Sequence, residues 1–97
     1  MSEEEITITD RPEQRRFELA LDGEVIGSSS YRDSDGVRTF VHTNIDPSVE
    51  GHGLGGRLVR SALDQTRAAG LQVIPQCPFV RAFIERHPEY GDLVAAA

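Results

Sequence analysis

Residues 50–56 read Glu50-Gly51-His52-Gly53-Leu54-Gly55-Gly56, and the hydrophobic pattern changes period across them. Upstream, apolar residues alternate with others: Ile6 and Ile8 with Thr7 and Thr9, and Phe17, Leu19 and Leu21 with Glu18 and Ala20. A period of two belongs to strands with one buried face. Asp22-Gly23 suits a tight hairpin, because both residues tolerate positive φ. Glu24 to Arg32 is then the return strand, Ser34-Asp35-Gly36 the next turn, and Val37 to Ile45 a strand rich in β-branched and aromatic types. Downstream, Leu54, Leu58, Ala62 and Leu63 share one helical face with Val59 and Thr66 beside it, while Arg57, Arg60, Asp64 and Arg67 fall elsewhere. The spacing predicts an amphipathic helix from Gly53 to Ala69, stopped by Gly70. Leu71, Val73 and Ile74 form a short buried strand ended by Pro75. Phe79, Val80, Phe83 and Ile84 mark a second, shorter helix that opens at Pro78, a favoured first helical residue, and closes at His87-Pro88.

The order is four strands, helix, strand, helix. One crossover helix between the strands from 37 and from 71 makes them parallel neighbours, connected right-handedly. The fold class is therefore α+β: a mixed, mostly antiparallel sheet flanked by helices. With 97 residues the chain is expected to be a single domain, 1–97, with one modest core. Residues 1–5 and 95–97 are expected to be frayed. So small a domain leaves little room for a separate substrate domain. A large partner would be met on an open surface, or on one completed by a second subunit; a monomer or weak homodimer is expected.

Charge and composition remove several classes of function. The net charge is −6, and it is unevenly spread: residues 1–50 carry twelve acids and five arginines, a balance of −7, and the remainder carry four acids and five arginines, a balance of +1. A phosphate backbone wants a basic face, so nucleic acid is not expected as the partner. The second half is the better place for a small anion. Cys77 is the only cysteine, so no internal disulfide forms. One cysteine and three scattered histidines make no zinc pattern, and no metal is expected. The acidic N-terminus lacks the features of a signal peptide, and no apolar stretch approaches the roughly 18 residues of a membrane span. A cytoplasmic protein without a membrane partner is expected.

The glycine-rich stretch carries the chemistry. Its glycines clear side chains from a backbone that something can approach closely. The first-turn amides of the following helix lack internal partners, and with the helix dipole they form an anion site suited to phosphate. Arg57 and Arg60 lie in the first two turns, where cations oppose that dipole; a phosphate nearby would offset them. The same residues also read as a plain glycine-rich turn with surface arginines. No Gly-Lys-Ser/Thr follows, so this is not a Walker A loop. Antiparallel hairpins precede it, so it is not the dinucleotide fingerprint either.

Gly51-His52-Gly53-Leu54-Gly55 resembles the acyl-CoA pyrophosphate loop of the GNAT N-acetyltransferase superfamily. His42-Thr43, Val73-Ile74-Pro75, Cys77-Pro78-Phe79 and His87-Pro88-Glu89-Tyr90 extend the likeness, from Val41 to Val94, to its short stand-alone branch with a Cys-Pro motif. One residue departs from the wider superfamily: its usual Arg or Gln at the first loop position is Glu50 here. An acid facing the phosphates would be unfavourable, so Glu50 is expected to point away.

The resemblance implies acetyl transfer from acetyl-CoA, as cosubstrate, to an amine acceptor, a small molecule or a protein. It implies parallel strands, here 37–45 and 71–75, splayed around the pantetheine arm. Pro75 agrees independently, since it has no amide hydrogen and the sheet can open after Ile74. Implied donor-binding residues are Thr43, Asn44 and Ile45 through their backbone, the loop residues Gly51, His52, Gly53, Leu54, Gly55 and Gly56, and Arg57, with Arg86 and His87 near the CoA phosphates. Arg86 and His87 also read as groups that simply suit a helix C-terminus.

Cys77 falls at the expected N-cap of the second helix, where the dipole favours a thiolate, and is a candidate nucleophile. It also reads as a small buried hydrophobe. His42 is a candidate general base or a plain strand histidine. Tyr90 is offset from the tyrosine that protonates the CoA thiolate in many GNAT enzymes. The competing functional classes are a non-catalytic acyl-CoA-binding module and a site for another phosphorylated ligand such as a nucleotide.

Overall fold

The structure, a computed structural model, describes residues 5–95. Five strands form one sheet in the order β1-β2-β3-β4-β5: β1 Ile6–Arg11, β2 Arg16–Leu21, β3 Glu24–Ser34, β4 Val37–Ile45 and β5 Gln72–Pro75. The first four are antiparallel neighbours, and β5 runs parallel to β4. The turns are chosen by residues that accept positive φ: Asp22 and Gly23 at 51° and 87°, Asp35 and Gly36 at 53° and 79°.

Helix α1 (Leu54–Ala68) buries Leu54, Leu58, Val59, Ala62, Leu63 and Thr66, the face that the spacing predicts. It ends in a Schellman motif: Gly70 N–H donates to the Arg67 carbonyl and Leu71 N–H to that of Thr66, with Gly70 at φ 77°. Helix α2 (Pro78–Arg86) buries Val80, Phe83 and Ile84, and a 3₁₀ segment over Pro88–Leu93 adds Tyr90 and Leu93. Both helices join one hydrophobic cluster with Phe17, Leu19, Tyr31, Phe40 and Val73. Phe17, Tyr31 and Phe40 pack at ring separations of 5.3–6.2 Å.

This cluster covers one face of the sheet. The other face carries mainly Thr, Ser, Arg and Glu side chains, including Thr7, Thr9, Ser28 and Ser30, with Glu18 paired to Arg11 and Arg16. That one-sidedness corrects the expectation of a buried strand over Leu71, Val73 and Ile74. Val73 is fully buried, but Ile74 turns to the uncovered face and is 43% exposed.

Two further expectations change. Glu5 and Ala95 are tied down rather than frayed. The Glu5 and Asp22 backbones bond through the Asp22 amide, Asp22 Oδ1 accepts the Glu5 amide, and Ala95 N–H donates to the Val73 carbonyl. The remainder of that expectation, for residues 1–4 and 96–97, lies outside the described residues. The sheet also opens later than Ile74. Pro75 still pairs with Phe40, and the Cys77 amide takes the Phe40 carbonyl at 2.8 Å, which bypasses the donor that proline lacks.

Candidate functional site

Past Phe40, β4 has no neighbour on the β5 side, while its other edge stays paired with β3 through Ile45. The parallel strands are thus splayed. Within this free stretch the register slips: Tyr31 opposes Phe40, but Ser30 opposes His42, so Val41 is one residue too many. This β-bulge resets the alternation of faces. Phe40 and Thr43, three residues apart, both face the helices, and His42 and Asn44 face the uncovered side.

Beyond Ile45 the chain turns through a 3₁₀ segment, Pro47–Val49. Asp46 caps it: Oδ1 accepts the Ser48 amide at 2.9 Å, which holds the Asp46 carboxyl below its ordinary range. The loop then reaches α1 through two glycines in the left-handed region, Gly51 at φ 89° and Gly53 at φ 73°. Neither has an atom within 4 Å of where a Cβ would sit, so backbone conformation and not crowding selects glycine there. Gly55 differs. A Cβ on it would lie 2.7 Å from Cζ of Phe79, so the close approach it permits is that of α2's own aromatic ring. The first amide bonded within α1 is that of Arg57, to the Gly53 carbonyl at 3.2 Å. The Leu54, Gly55 and Gly56 amides before it have no acceptor among the described residues.

These pieces enclose a cavity of about 480 Å³ between the free end of β4 and the loop. Thr43, Asn44, Ile45, Gly51, Gly53, Leu54, Gly55 and Gly56 line it, as does the exposed Glu50. His52 does not; it faces a smaller cavity of about 250 Å³ with Ile6, Leu21, Val49, Leu54 and Arg57. A third cavity, about 440 Å³, shares Gly53, Gly56 and Phe79 with the first and is walled by Arg57, Arg60, Arg86 and His87. The fold therefore gathers basic residues from opposite ends of the two helices beside the glycine loop. Arg60 is partly engaged, 3.6 Å from a Glu89 carboxylate oxygen and 3.3 Å from Tyr90 Oη. Arg57 and Arg86 have no carboxylate partner among the described residues. The His87 ring stacks on Phe83 at 4.0 Å, and its Nδ1 is 2.8 Å from the Phe83 carbonyl.

The residues assigned to catalysis lie apart from one another. Cys77 is the N-cap residue of α2 but only 3% exposed, and it lines none of these cavities. Its Sγ donates to Thr43 Oγ1 at 3.5 Å, and Thr43 Oγ1 lies 2.9 Å from Ser29 Oγ. His42 is exposed on the opposite face of the sheet. Tyr90 is buried against α1, where its hydroxyl donates to Asp64 at 2.7 Å. Burial, helped by that carboxylate, raises its pKa. Sequence reasoning missed Phe79 as a wall of two cavities, because helical spacing places it with the buried Phe83, yet it is 45% exposed. It also missed Ser29, which no motif marks. No cluster of side chains suited to a metal exists among the described residues, and none of their helices is long and apolar enough to cross a membrane.

A glycine-rich turn leading into a helix with unbonded first amides, beside parallel strands that part, defines an α+β class whose loop can receive an anion with backbone amides. The family model for the GCN5-related N-acetyl-transferase matches residues 16–93, and the chain belongs to that family of acetyltransferases. Among solved structures, the chain is similar to a GCN5-like protein from Staphylococcus aureus, with a TM-score of 0.70 and 20% identity over 94% of this chain and 89% of that one. A GNAT family acetyltransferase from Brucella melitensis, in complex with acetyl-CoA, is similar over 70% of this chain and 50% of its own, at 25% identity and a TM-score of 0.56. N-acetylglutamate synthase from Neisseria gonorrhoeae, complexed with coenzyme A and N-acetyl-glutamate, is similar at 16% identity and a TM-score of 0.58, over 90% of this chain and 26% of its own. No curated protein matches the chain.

Proposed function

We propose that this acetyltransferase takes its acetyl group from acetyl-CoA bound along the free end of β4, and passes it directly to an amine that arrives from the uncovered face of the sheet. One observation carries the reading: the cavity between β4 and the loop adjoins unbonded first-turn amides and, beyond them, the arginine-walled cavity. An extended arm needs a trench with backbone groups to bond, and phosphates need amides and cations; the three occur in that order. The acetyl-CoA held by the Brucella relative supports the choice of ligand over a nucleotide.

In this reading Thr43, Asn44 and Ile45 bond the pantetheine arm through their backbone. The amides of Leu54, Gly55 and Gly56 hold the pyrophosphate, and Arg57, Arg86 and His87 face the remaining phosphate. A β4 amide near Ile45 polarises the thioester carbonyl and stabilises the tetrahedral oxyanion. The acceptor nitrogen attacks that carbonyl and the C–S bond then breaks. One proton leaves the nitrogen and one reaches the CoA thiolate. His42, exposed on the uncovered face, takes the nitrogen's proton. Direct attack is preferred to an acyl-Cys77 intermediate because the thiol is 3% exposed and bonded to Thr43. The acceptor class stays open between a small amine and a protein amine, met by a monomer or a weak homodimer in the cytoplasm.

An acceptor screen with acetyl-CoA, run on the wild type, Cys77→Ala and His42→Gln, tests this. Turnover lowered but retained in Cys77→Ala, and reduced in His42→Gln, is expected. Turnover abolished in Cys77→Ala with coenzyme A affinity unchanged would replace direct attack by the covalent route.

A further inference from the structure

Ser29, Thr43 and Cys77 form a chain of three polar side chains where the parallel strands part, and the direction of its hydrogen bonds can be worked out. Ser29 is fully buried on β3, and Thr43 is its side-chain partner, at 2.9 Å. A hydroxyl has one proton and two lone pairs. If Thr43 donated to Ser29, the Ser29 proton would be left in the core without a side-chain acceptor, which is costly. If Ser29 donates, its proton is satisfied. The Cys77 thiol also donates to Thr43 Oγ1, at 3.5 Å, from a site that is 3% exposed. Thr43 Oγ1 then accepts twice, and its own proton must find an acceptor elsewhere. Thr43 is half-buried and lines the cavity beside β4. That cavity is open to an arriving acceptor.

We infer that the Thr43 side-chain hydroxyl is a pre-oriented hydrogen-bond donor to the thioester carbonyl of the acyl donor, held in that role by Ser29 and Cys77 behind it. The inference rests on the cavity being the acyl-CoA site. It gives Cys77 a use that needs no nucleophilic step: the thiol occupies a lone pair of Thr43 and so turns the hydroxyl outward. The Val41 bulge is what brings Thr43 to this face, beside Cys77, instead of onto the face that His42 occupies.

The test is isotope-edited infrared spectroscopy of carbonyl-labelled acetyl-CoA bound to the protein, paired with calorimetry against the S-ethyl thioether of CoA, which lacks the carbonyl. The wild type and Thr43→Ser are expected to shift the thioester stretch to lower wavenumber, and to prefer acetyl-CoA over the thioether by roughly 3–10-fold, the worth of one hydrogen bond. Thr43→Val is expected to lose most of both the shift and the preference, keeping only the part that the β4 amide near Ile45 supplies. A Ser29→Ala/Thr43→Val double variant, which leaves no unpaired serine in the core, should behave like Thr43→Val. A stretch equally shifted in Thr43→Val or in the double variant, with acetyl-CoA still bound, overturns the inference and leaves the cavity assignment standing. No binding of acetyl-CoA or CoA by the wild type overturns both.

Discussion

Two residues set local terms that can be measured. Gly53 sits at φ 73° with open space around it, so an alanine there meets no neighbour and pays only for the left-handed backbone. Gly53→Ala is expected to cost about 1–2 kcal/mol in urea denaturation, and Gly53→Asn less. Glu18 is 8% exposed on the uncovered face, and its carboxyl accepts from Arg16 Nε at 2.9 Å and Arg11 Nε at 3.3 Å. The Arg16 bond, with help from Arg11 and against the cost of burial, holds the carboxyl below its ordinary 4.5. A lowered carboxyl adds stability that is fully present above its unfolded pKa and is lost as pH falls through the folded one. Denaturation curves from neutral pH to below 4.5 should therefore show the wild type losing more stability than Glu18→Gln. An equal loss in both would deny Glu18 this part.

At the scale of elements, the sequence made most of the scaffold legible. Alternation marks the strands, and the Leu54–Leu58–Leu63 face with Gly70 behind it marks α1 and its end. The bulge was not legible. One extra residue in Val37–Ile45 leaves the run of β-branched and aromatic types intact, and only pairing with β3 exposes it. For the same reason Cys77 is legible as the N-cap of α2, while its bond to Thr43 depends on which way β4 turns that residue. Of the basic wall, Arg57 and Arg60 are legible from their place at the start of α1, but Arg86 and His87 only through family likeness, because Arg57 and Arg86 are 29 residues apart in sequence. They face one cavity because α1 and α2 pack side by side, with Phe79 against Gly55 and Phe83 near Gly56. Arg57→Gln and Arg86→Gln should each weaken coenzyme A binding roughly 3–10-fold, as lost charge-assisted hydrogen bonds. The difference from wild type should shrink as salt rises. Affinity unchanged in both at low salt would place the phosphates elsewhere.

For the molecule as a whole, one core serves both stability and site. Phe40, 1% exposed, packs on Phe17 and Tyr31, and its carbonyl receives the Cys77 amide at the point where β4 and β5 part. Phe40→Ala is expected to cost about 3–5 kcal/mol. That is a large share of the roughly 5–15 kcal/mol that holds such a domain together. Thermal melts should show it, and added acetyl-CoA should recover part of the loss by mass action. The helices cover a single face of the sheet, so the cavity beside β4 is walled by loop and helices while the other face, where the proposed reading brings the amine, is open. This is why the sequence speaks about the donor and says little about the acceptor.

The donor cavity is the claim from which the rest follows. Calorimetric titration with acetyl-CoA and CoA, beside a Gly53→Glu/Gly55→Glu variant whose folding is verified by circular dichroism, tests it most directly. Micromolar binding of both ligands by the wild type, absent in the variant, is the predicted result. No binding by the wild type, or equal binding by the two proteins, would contradict the account.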